Sequence, residues 1–372
     1  MGALRLLLAM SVVFVHTSGI FNYTVAGGTA AVQMFFIVSG FFMSQVLTSK
    51  YDPQRQIWTF YASRAMRIYS TYFCCLVLAM GLNLLAEGYG RSLWIETIRS
   101  EWGSLDLFSR TWLIGSTFSI FGLDWLNFFQ LGDGGFVLGA SPLDPKVWAL
   151  HPIPPAWSIS LELMFYVMCP FLVRLRTRYL ILLVGLGLLA RAFLYAYGLK
   201  RDPWTYRFFP LELPLFLLGI LSDRLYSSGI LSMRAARSKM LALGLIAITL
   251  MTQPLAFAVK KVGLSELVVY WVLYAYAVVS LPHLFALTSK NKLDRYVGNF
   301  SYPIYLVHWP IIVLYDATMF RGEVYPSPAR TLVCAFAALF AAWIIMVLIE
   351  LPVDRLRHRR FVGQLRPAMP RS

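Results

Sequence analysis

Two ionisable side chains lie inside apolar runs that are long enough to cross a membrane. His16 lies in the run from Ala3 to Ile20, and Glu162 lies in the run from Ala156 to Val173. Polar groups at such depth are costly and are usually kept for a function. Neutral imidazole is the usual general base near pH 7, and a carboxylate can fix its tautomer and stabilise its charged form. We therefore predict that His16 and Glu162 are catalytic.

Three arginines lie at the start of apolar runs, Arg5 in the first run and Arg64 and Arg67 just before the run that begins at Ile68. Arg64 and Arg67 are three residues apart, a spacing that places both guanidinium groups on one face of a helix. Arg5 begins the first run and is expected to join them. Forked guanidinium groups suit a phosphate-bearing ligand. The same residues would also serve as simple topology anchors, and the pair alone does not separate the two interpretations.

Other polar side chains in apolar runs are weaker candidates. They are selected by polarity alone as contacts to an oxyanion or to the acceptor molecule, and each could instead form an ordinary hydrogen bond between helices. These candidates are Ser160, Tyr302, Tyr305 and His308. No grouping of Cys, His and Asp has the spacing of a metal site, so no metal is predicted. The four cysteines all fall in apolar runs and are expected to be small buried residues.

The elements that must position these residues are membrane helices. Hydrophobic residues make up 58% of the 372 residues and charged residues only 14%, whereas a soluble domain has about 25% charged residues. We predict an all-α integral membrane protein with a bundle of about ten spans. The stretch 107–129 could be an eleventh span, a re-entrant segment or an interfacial piece. The predicted spans are Ala3–Ile20, Gly28–Leu47, Ile68–Ala86, Ala156–Val173, Tyr179–Tyr197, Phe208–Ser222, Lys239–Val259, Leu264–Leu287, Gly298–Tyr315 and Thr331–Leu351.

The basic residues define the expected orientation. With ten spans, 21 of the 33 Lys and Arg residues fall on the side of the two termini, which is therefore expected to be cytoplasmic. The net charge of +15 is thus a topology signal, and no nucleic-acid partner is predicted. We expect one membrane domain over residues 1–372, with spans within about 3–351 and a basic cytoplasmic tail at 352–372. Glu350-Leu-Pro352 is expected to end the last helix. His16 and Glu162 then lie at similar depth in the outer half of the membrane.

Five sequence blocks stand out in the chain. In order, they are Leu4-Arg5 with His16, Met34-Phe-Phe-Ile-Val-Ser-Gly-Phe-Phe42, Arg64-Ala-Met-Arg-Ile-Tyr69, Trp157-Ser-Ile-Ser-Leu-Glu-Leu-Met-Phe-Tyr166 and Ser301-Tyr-Pro-Ile-Tyr-Leu-Val-His-Trp-Pro310. Together and in this order, they resemble the acyltransferase-3 family. The departures from the family are Ser70, where many members have proline, and Leu163, where many have a second glutamate that would pair with Glu162.

The resemblance implies a membrane O-acyltransferase of the bacterial inner membrane. The donor would be cytoplasmic acyl-CoA, with acetyl-CoA as the expected form, and no cofactor would be permanently bound. The acceptor would be a hydroxyl of a cell-surface or exported carbohydrate or glycolipid, such as a polysaccharide or lipopolysaccharide. His16 would be the base, and Arg5, Arg64 and Arg67 would bind the donor phosphates. The chain would be the stand-alone form without an esterase-like domain.

Two alternatives stay open at this point. The acceptor could be a small secreted molecule, such as a macrolide or a signal oligosaccharide. The chain could also be a polytopic transporter or flippase without acyl transfer. Transporters often have two halves with matching broken helices, and no such match is visible in this sequence.

Overall fold

The computed structural model describes residues 1–51, 56–132, 134–139, 147–199, 202–231, 234–319 and 327–362. Within these residues the chain is almost entirely helical. A π-helical turn, Met346–Glu350, joins the last two α-helices, and another, His358–Val362, follows them. The α-helices are α1 (Gly2–His16), α2 (Gly28–Ser49), α3 (Ile57–Glu87), α4 (Leu93–Glu101), α5 (Leu107–Ser119), α6 (Trp157–Leu172), α7 (Thr177–Ala196), α8 (Phe209–Ser227), α9 (Ala235–Lys261), α10 (Leu267–Thr288), α11 (Lys292–Asn299), α12 (Ser301–Met319), α13 (Pro328–Ile345) and α14 (Leu351–Arg357).

The helices bear out the prediction of an all-α membrane protein. Eight helical stretches of the described residues are long and apolar enough to cross a membrane. The two other predicted spans correspond to α1 and α8. The first is apolar but has only 15 residues. The second carries Glu212, Asp223 and Arg224, so it relies on burial against other helices rather than on an apolar surface.

The segment from α4 to α6 does not add a membrane crossing. Helix α5 has 13 residues, so it is about 20 Å long, whereas the hydrocarbon core is about 30 Å thick. An antiparallel hairpin follows it, formed by β1 (Phe129–Gly132) and β2 (Gly135–Leu138). Exposed Phe108 and Phe118 on α5 suit an interfacial location.

Helix α1 lies at the centre of the site-bearing half of the bundle. It packs against α2, α11, α12 and α13. Its first turn is held by Asp294 of α11, whose carboxylate accepts the backbone N–H groups of Gly2 at 2.8 Å and Ala3 at 3.0 Å. This cap satisfies donors that a helix start leaves unpaired and fixes the position of Arg5 one turn later.

Helices α2 and α8 approach each other closely through two glycines. A Cβ atom on Gly40 would lie 2.0 Å from the carbonyl oxygen of Phe216, and one on Gly219 would lie 2.0 Å from that of Ile37. Small residues allow membrane helices to approach in this way. The contact fixes the rotation of α2 about its axis, and therefore the direction of Ser39, the neighbour of Gly40.

The predicted end of the last helix at Glu350-Leu-Pro352 is wrong. The chain continues from α13 through the π-helical turn into α14, which has Pro352 in its first turn. Proline is tolerated there because a first-turn N–H needs no helical partner. As a result, Asp354 and Arg357 of the predicted tail belong to a helix, and this helix packs against α3. Residues 363–372 of that tail lie outside the described residues.

Candidate functional site

A cavity of about 580 Å³ opens between the helices that carry the predicted site residues. Its lining follows α2 from Val32 to Lys50, which corresponds to about 27 Å of helix rise. Because α1 runs antiparallel to α2, the Lys50 end lies beside Gly2 and Arg5, and the Val32 end lies toward His16. The cavity is therefore a long passage rather than a compact pocket.

Arginine side chains dominate one end of the cavity. Arg5, Arg64 and Arg67 all line it, so the structure brings together the three arginines of the sequence prediction. Arg64 is only 8% exposed, and its Nη1 donates a long hydrogen bond of 4.0 Å to the Met43 sulfur. Its Nε has no hydrogen-bond partner, and no carboxylate of the described residues forms an ion pair with it. A buried, unpaired guanidinium group facing a cavity is costly unless a ligand completes it.

Other cationic side chains line the same end, and one of them forms an ion pair. Lys50, Arg295 and Arg357 also line the cavity. Arg357 is paired with Asp354 at 2.9 Å. The prediction had counted Arg357 and Lys50 only as topology charges. The structure makes both part of the cavity wall, Lys50 at the end of α2 and Arg357 on α14.

Glu162 lines this cavity and does not touch His16. Its Oε1 accepts hydrogen bonds from the hydroxyl groups of Ser39, at 2.9 Å, and Tyr166. The carboxylate also lies within electrostatic range of Arg5 and Arg67. The two predicted catalytic residues are therefore not in contact, and Glu162 belongs to the arginine-lined cavity.

The far end of the cavity is closed by Ser158 and Tyr305. The Ser158 hydroxyl donates to the Tyr305 oxygen at 2.7 Å, and the Tyr305 hydroxyl donates to the Pro155 carbonyl at 2.9 Å. Tyr302 also lines the cavity and donates to the Ile68 carbonyl at 3.1 Å. In this arrangement, both predicted tyrosines give their only hydroxyl hydrogen to the backbone, so neither is free to donate to an oxyanion.

His16 lies in an aromatic cluster just beyond that end. Its ring centroid is 5.2 Å from that of His308 and 5.1 Å from that of Trp309. The Tyr305 and His308 rings are 5.9 Å apart, so one ring separates the cavity wall from His16. Arg330, paired with Asp316 at 2.6 Å, points its Nη1 at the His16 carbonyl oxygen at 3.5 Å.

Ser160 is held by the segment that precedes α6 and does not join the candidate site. Its hydroxyl donates to Asp124 at 2.7 Å and accepts the Gly122 N–H at 3.1 Å. Asp124 lies outside the spans, and burial raises the pKa of its carboxyl group to about 6 despite the Ser160 hydrogen bond. Because the serine hydrogen is already donated, an oxyanion role for Ser160 finds no support in this geometry.

Several residues of the site were not predicted, and a signal existed for some of them. Ser39 and Tyr166 lie in two of the blocks that resemble the family. The signal for each was a polar side chain beside a small or aromatic residue, Gly40 or Phe165. Trp309 follows His308 directly. Arg357 carried no local signal, because its position depends on the unpredicted π-helical turn.

Comparison with known proteins places the chain in a family. Residues 1–347 match a family described as "Acyltransferase domain", the acyltransferase-3 family. O-acetyltransferase OatA of Staphylococcus aureus, from strains NCTC 8325, COL and MRSA252, is 23% identical over 325 residues, which cover 80% of this chain and 48% of the relative. The chain thus spans about half the length of these curated relatives. No solved structure matches it. The family match covers nearly the whole chain, and it confirms the resemblance read from the five blocks: this integral membrane protein belongs to the acyltransferase-3 family.

Proposed function

We propose that the protein transfers an acyl group, expected to be acetyl, from acyl-CoA to a hydroxyl group of a cell-surface or exported carbohydrate. The observation that carries this proposal is the cavity that begins among Arg5, Arg64 and Arg67 and ends one aromatic ring from His16. The name of the O-acetyltransferase relatives supports acetyl as the transferred group.

The cationic end of the cavity suits the phosphates of the donor. Arg64 is buried without a carboxylate partner, and Arg5 and Arg67 face the same space. Phosphate oxygens would supply the negative charge that Arg64 lacks and further hydrogen bonds to Arg5 and Arg67. Cytoplasmic acyl-CoA would enter at this end, which is the side that the positive-inside rule assigns to the cytoplasm.

The middle of the cavity suits the slender pantetheine arm. Phe35, Phe36 and Ile159 line it between the arginines and the Ser158–Tyr305 end. Most of their surface is apolar, which favours a thin, weakly polar chain over a second charged group. The thioester would then come to lie close to Tyr305, beside the aromatic cluster of His16.

His16 would act as the general base in direct transfer. Its ring removes the proton of the acceptor hydroxyl, the oxygen attacks the thioester carbonyl, and collapse of the tetrahedral intermediate breaks the carbon–sulfur bond. The proton held by His16 then passes to the thiolate, so the products are the ester and free CoA. Glu162 would contribute from the cavity, by orienting Ser39 and Tyr166, and not by contact with the base.

The proposal is tested with membranes that contain both the full chain and the surface carbohydrate of the host. Membranes with the wild-type protein are expected to transfer label from radioactive acetyl-CoA to the carbohydrate fraction. H16A should abolish this transfer, because loss of a general base costs about 100- to 10,000-fold. V15A is the matched control, since Val15 precedes His16 on α1 and is 37% exposed.

Three results would overturn part or all of the proposal. Full transfer by H16A would remove His16 as the base. Carbohydrate that crosses the membrane without acquiring label would indicate a transporter, and label on a small secreted product would replace the acceptor class.

A further inference from the structure

His308 carries a buried nitrogen atom whose lone pair is unused. The residue is completely buried, and its Nε2 has no hydrogen-bond partner. Burying such an atom without a partner costs free energy, so native proteins usually satisfy it or keep it for a purpose.

The other ring nitrogen of His308 fixes which tautomer is present. Nδ1 lies 3.2 Å from the carbonyl oxygen of Ile304, one turn earlier on α12. A carbonyl oxygen only accepts, so Nδ1 carries the hydrogen and donates it. The neutral ring therefore leaves Nε2 without hydrogen, as a pure acceptor. This excludes the predicted role of neutral His308 as a donor to an oxyanion.

The ring of His16 is the polar ring that neighbours the ring of His308. The two ring centroids are 5.2 Å apart and the ring planes are tilted by 33°, so the rings are not stacked face to face. Trp309, from the same helix, meets His16 edge-on on another side at 5.1 Å. His16 forms no ion pair with a carboxylate in the part of the chain that the structure describes.

We propose that His308 is the positioning residue of His16, a role that the sequence had suggested for Glu162. This inference rests on the proposed function. When His16 takes the proton of the acceptor hydroxyl, its ring gains a second N–H. Nε2 of His308 accepts one of these N–H groups and so orients and stabilises the imidazolium form. In acid-based triads a carboxylate has this role, and here a neutral imidazole of fixed tautomer would have it.

The test uses two substitutions of His308 that each keep one of its two nitrogen functions. Both are made in the full-length protein and assayed in membranes. In H308N the amide group can still donate to the Ile304 carbonyl, but no atom occupies the Nε2 position. In H308Q the longer side chain brings an acceptor oxygen close to that position. We expect H308N to lower kcat about 100-fold with the KM for acetyl-CoA unchanged. We expect H308Q to recover about 10-fold of that loss.

The outcomes distinguish a positioning role from a structural one. Equal losses in H308N and H308Q, or a rise in KM without a fall in kcat, would overturn the inference. If H308N does not accumulate, H308A with added free imidazole replaces it, and absence of rescue would overturn the inference. Full activity of H308N together with an inactive H16A would refute this inference alone, whereas activity of H16A would refute the proposed function itself.

Discussion

At the scale of single residues, Arg64 is the residue most clearly adapted to a ligand. Its side chain is buried, its Nε has no hydrogen-bond partner and its Nη1 donates to a methionine sulfur. A charge in that setting weakens the protein unless a counter-charge arrives. The residue would therefore link the stability of the empty protein to its affinity for an anionic ligand, which we propose to be the donor.

We expect R64Q to raise the KM for acetyl-CoA about 10- to 100-fold, because a hydrogen bond to a charged group contributes about 1.5–3 kcal/mol. R64Q should also raise the melting temperature of the donor-free protein in detergent, since it removes the buried charge. The measurement is the rate of label transfer against donor concentration, together with thermal unfolding.

Arg178 offers the matched control for that substitution. It is an exposed arginine whose guanidinium lies over Tyr179, away from the cavity. R178Q is expected to leave both KM and melting temperature unchanged. An unchanged KM in R64Q would remove Arg64 from the donor site.

The sequence could indicate which residues carry chemistry, but not all of their contacts. Helix rise and span direction predicted a similar depth for His16 and Glu162. The structure differs, because Glu162 accepts a hydrogen bond from Ser39, which lies about 16 Å along α2 from Gly28, the neighbour of Val15. Contacts across the bundle depend on helix rotation, as set by the Gly40–Gly219 approach, and no local pattern encodes that rotation. Hence only the structure shows that the hydrogen-bond partners of Glu162 are Ser39 and Tyr166.

At the scale of helices, the apolar runs predicted the positions of the spans well. The ends were less accurate where polar residues extend a helix into the headgroup region. Helix α3 begins at Ile57, 11 residues before its predicted span, because Arg64 and Arg67 lengthen the helix without lengthening its apolar stretch. The π-helical turn after α13 had no sequence signal, since proline at 352 reads as a stop.

The close approach of α2 and α8 makes a direct prediction about stability. We expect G40A to lower the melting temperature in detergent by several degrees, because the added Cβ would lie 2.0 Å from the Phe216 carbonyl oxygen, and backbone cannot move aside cheaply. Activity should fall with it, because Ser39 and its bond to Glu162 would shift.

G185A is the control for helix propensity in a similar environment. Gly185 is in the middle of α7, and a Cβ there would meet nothing within 4 Å. Alanine favours a helix by about 1 kcal/mol over glycine, so G185A should leave the protein as stable or make it more stable. Equal melting temperatures for G40A and G185A would show that the α2–α8 contact is not tight.

At the scale of the whole molecule, the two ends of the cavity have different chemistry. One end has arginines, Lys50 and α14; the other has the ring cluster of His308, Trp309 and His16. The proposed transfer between the two sides of the membrane would require such a separation. Charge counting gives a prediction of sidedness and the family blocks give a prediction of the reaction, but the cavity that connects both ends is a property of the assembled bundle.

The same separation predicts which face of the membrane each end meets. We expect Ser289, which lines the cavity beside the arginines, to face the cytoplasm, and Ser104, between α4 and α5, to face the opposite side. Single S289C and S104C variants, made with the four native cysteines replaced by alanine, would be treated with a membrane-impermeant maleimide. In intact cells without an outer barrier, S104C should react and S289C should react only after the membrane is opened.

Cys74 is the only native cysteine of intermediate exposure, the other three being buried, so wild-type protein should label weakly. Reaction of S289C in intact cells would invert the orientation and place the donor end of the cavity outside, where acyl-CoA is absent.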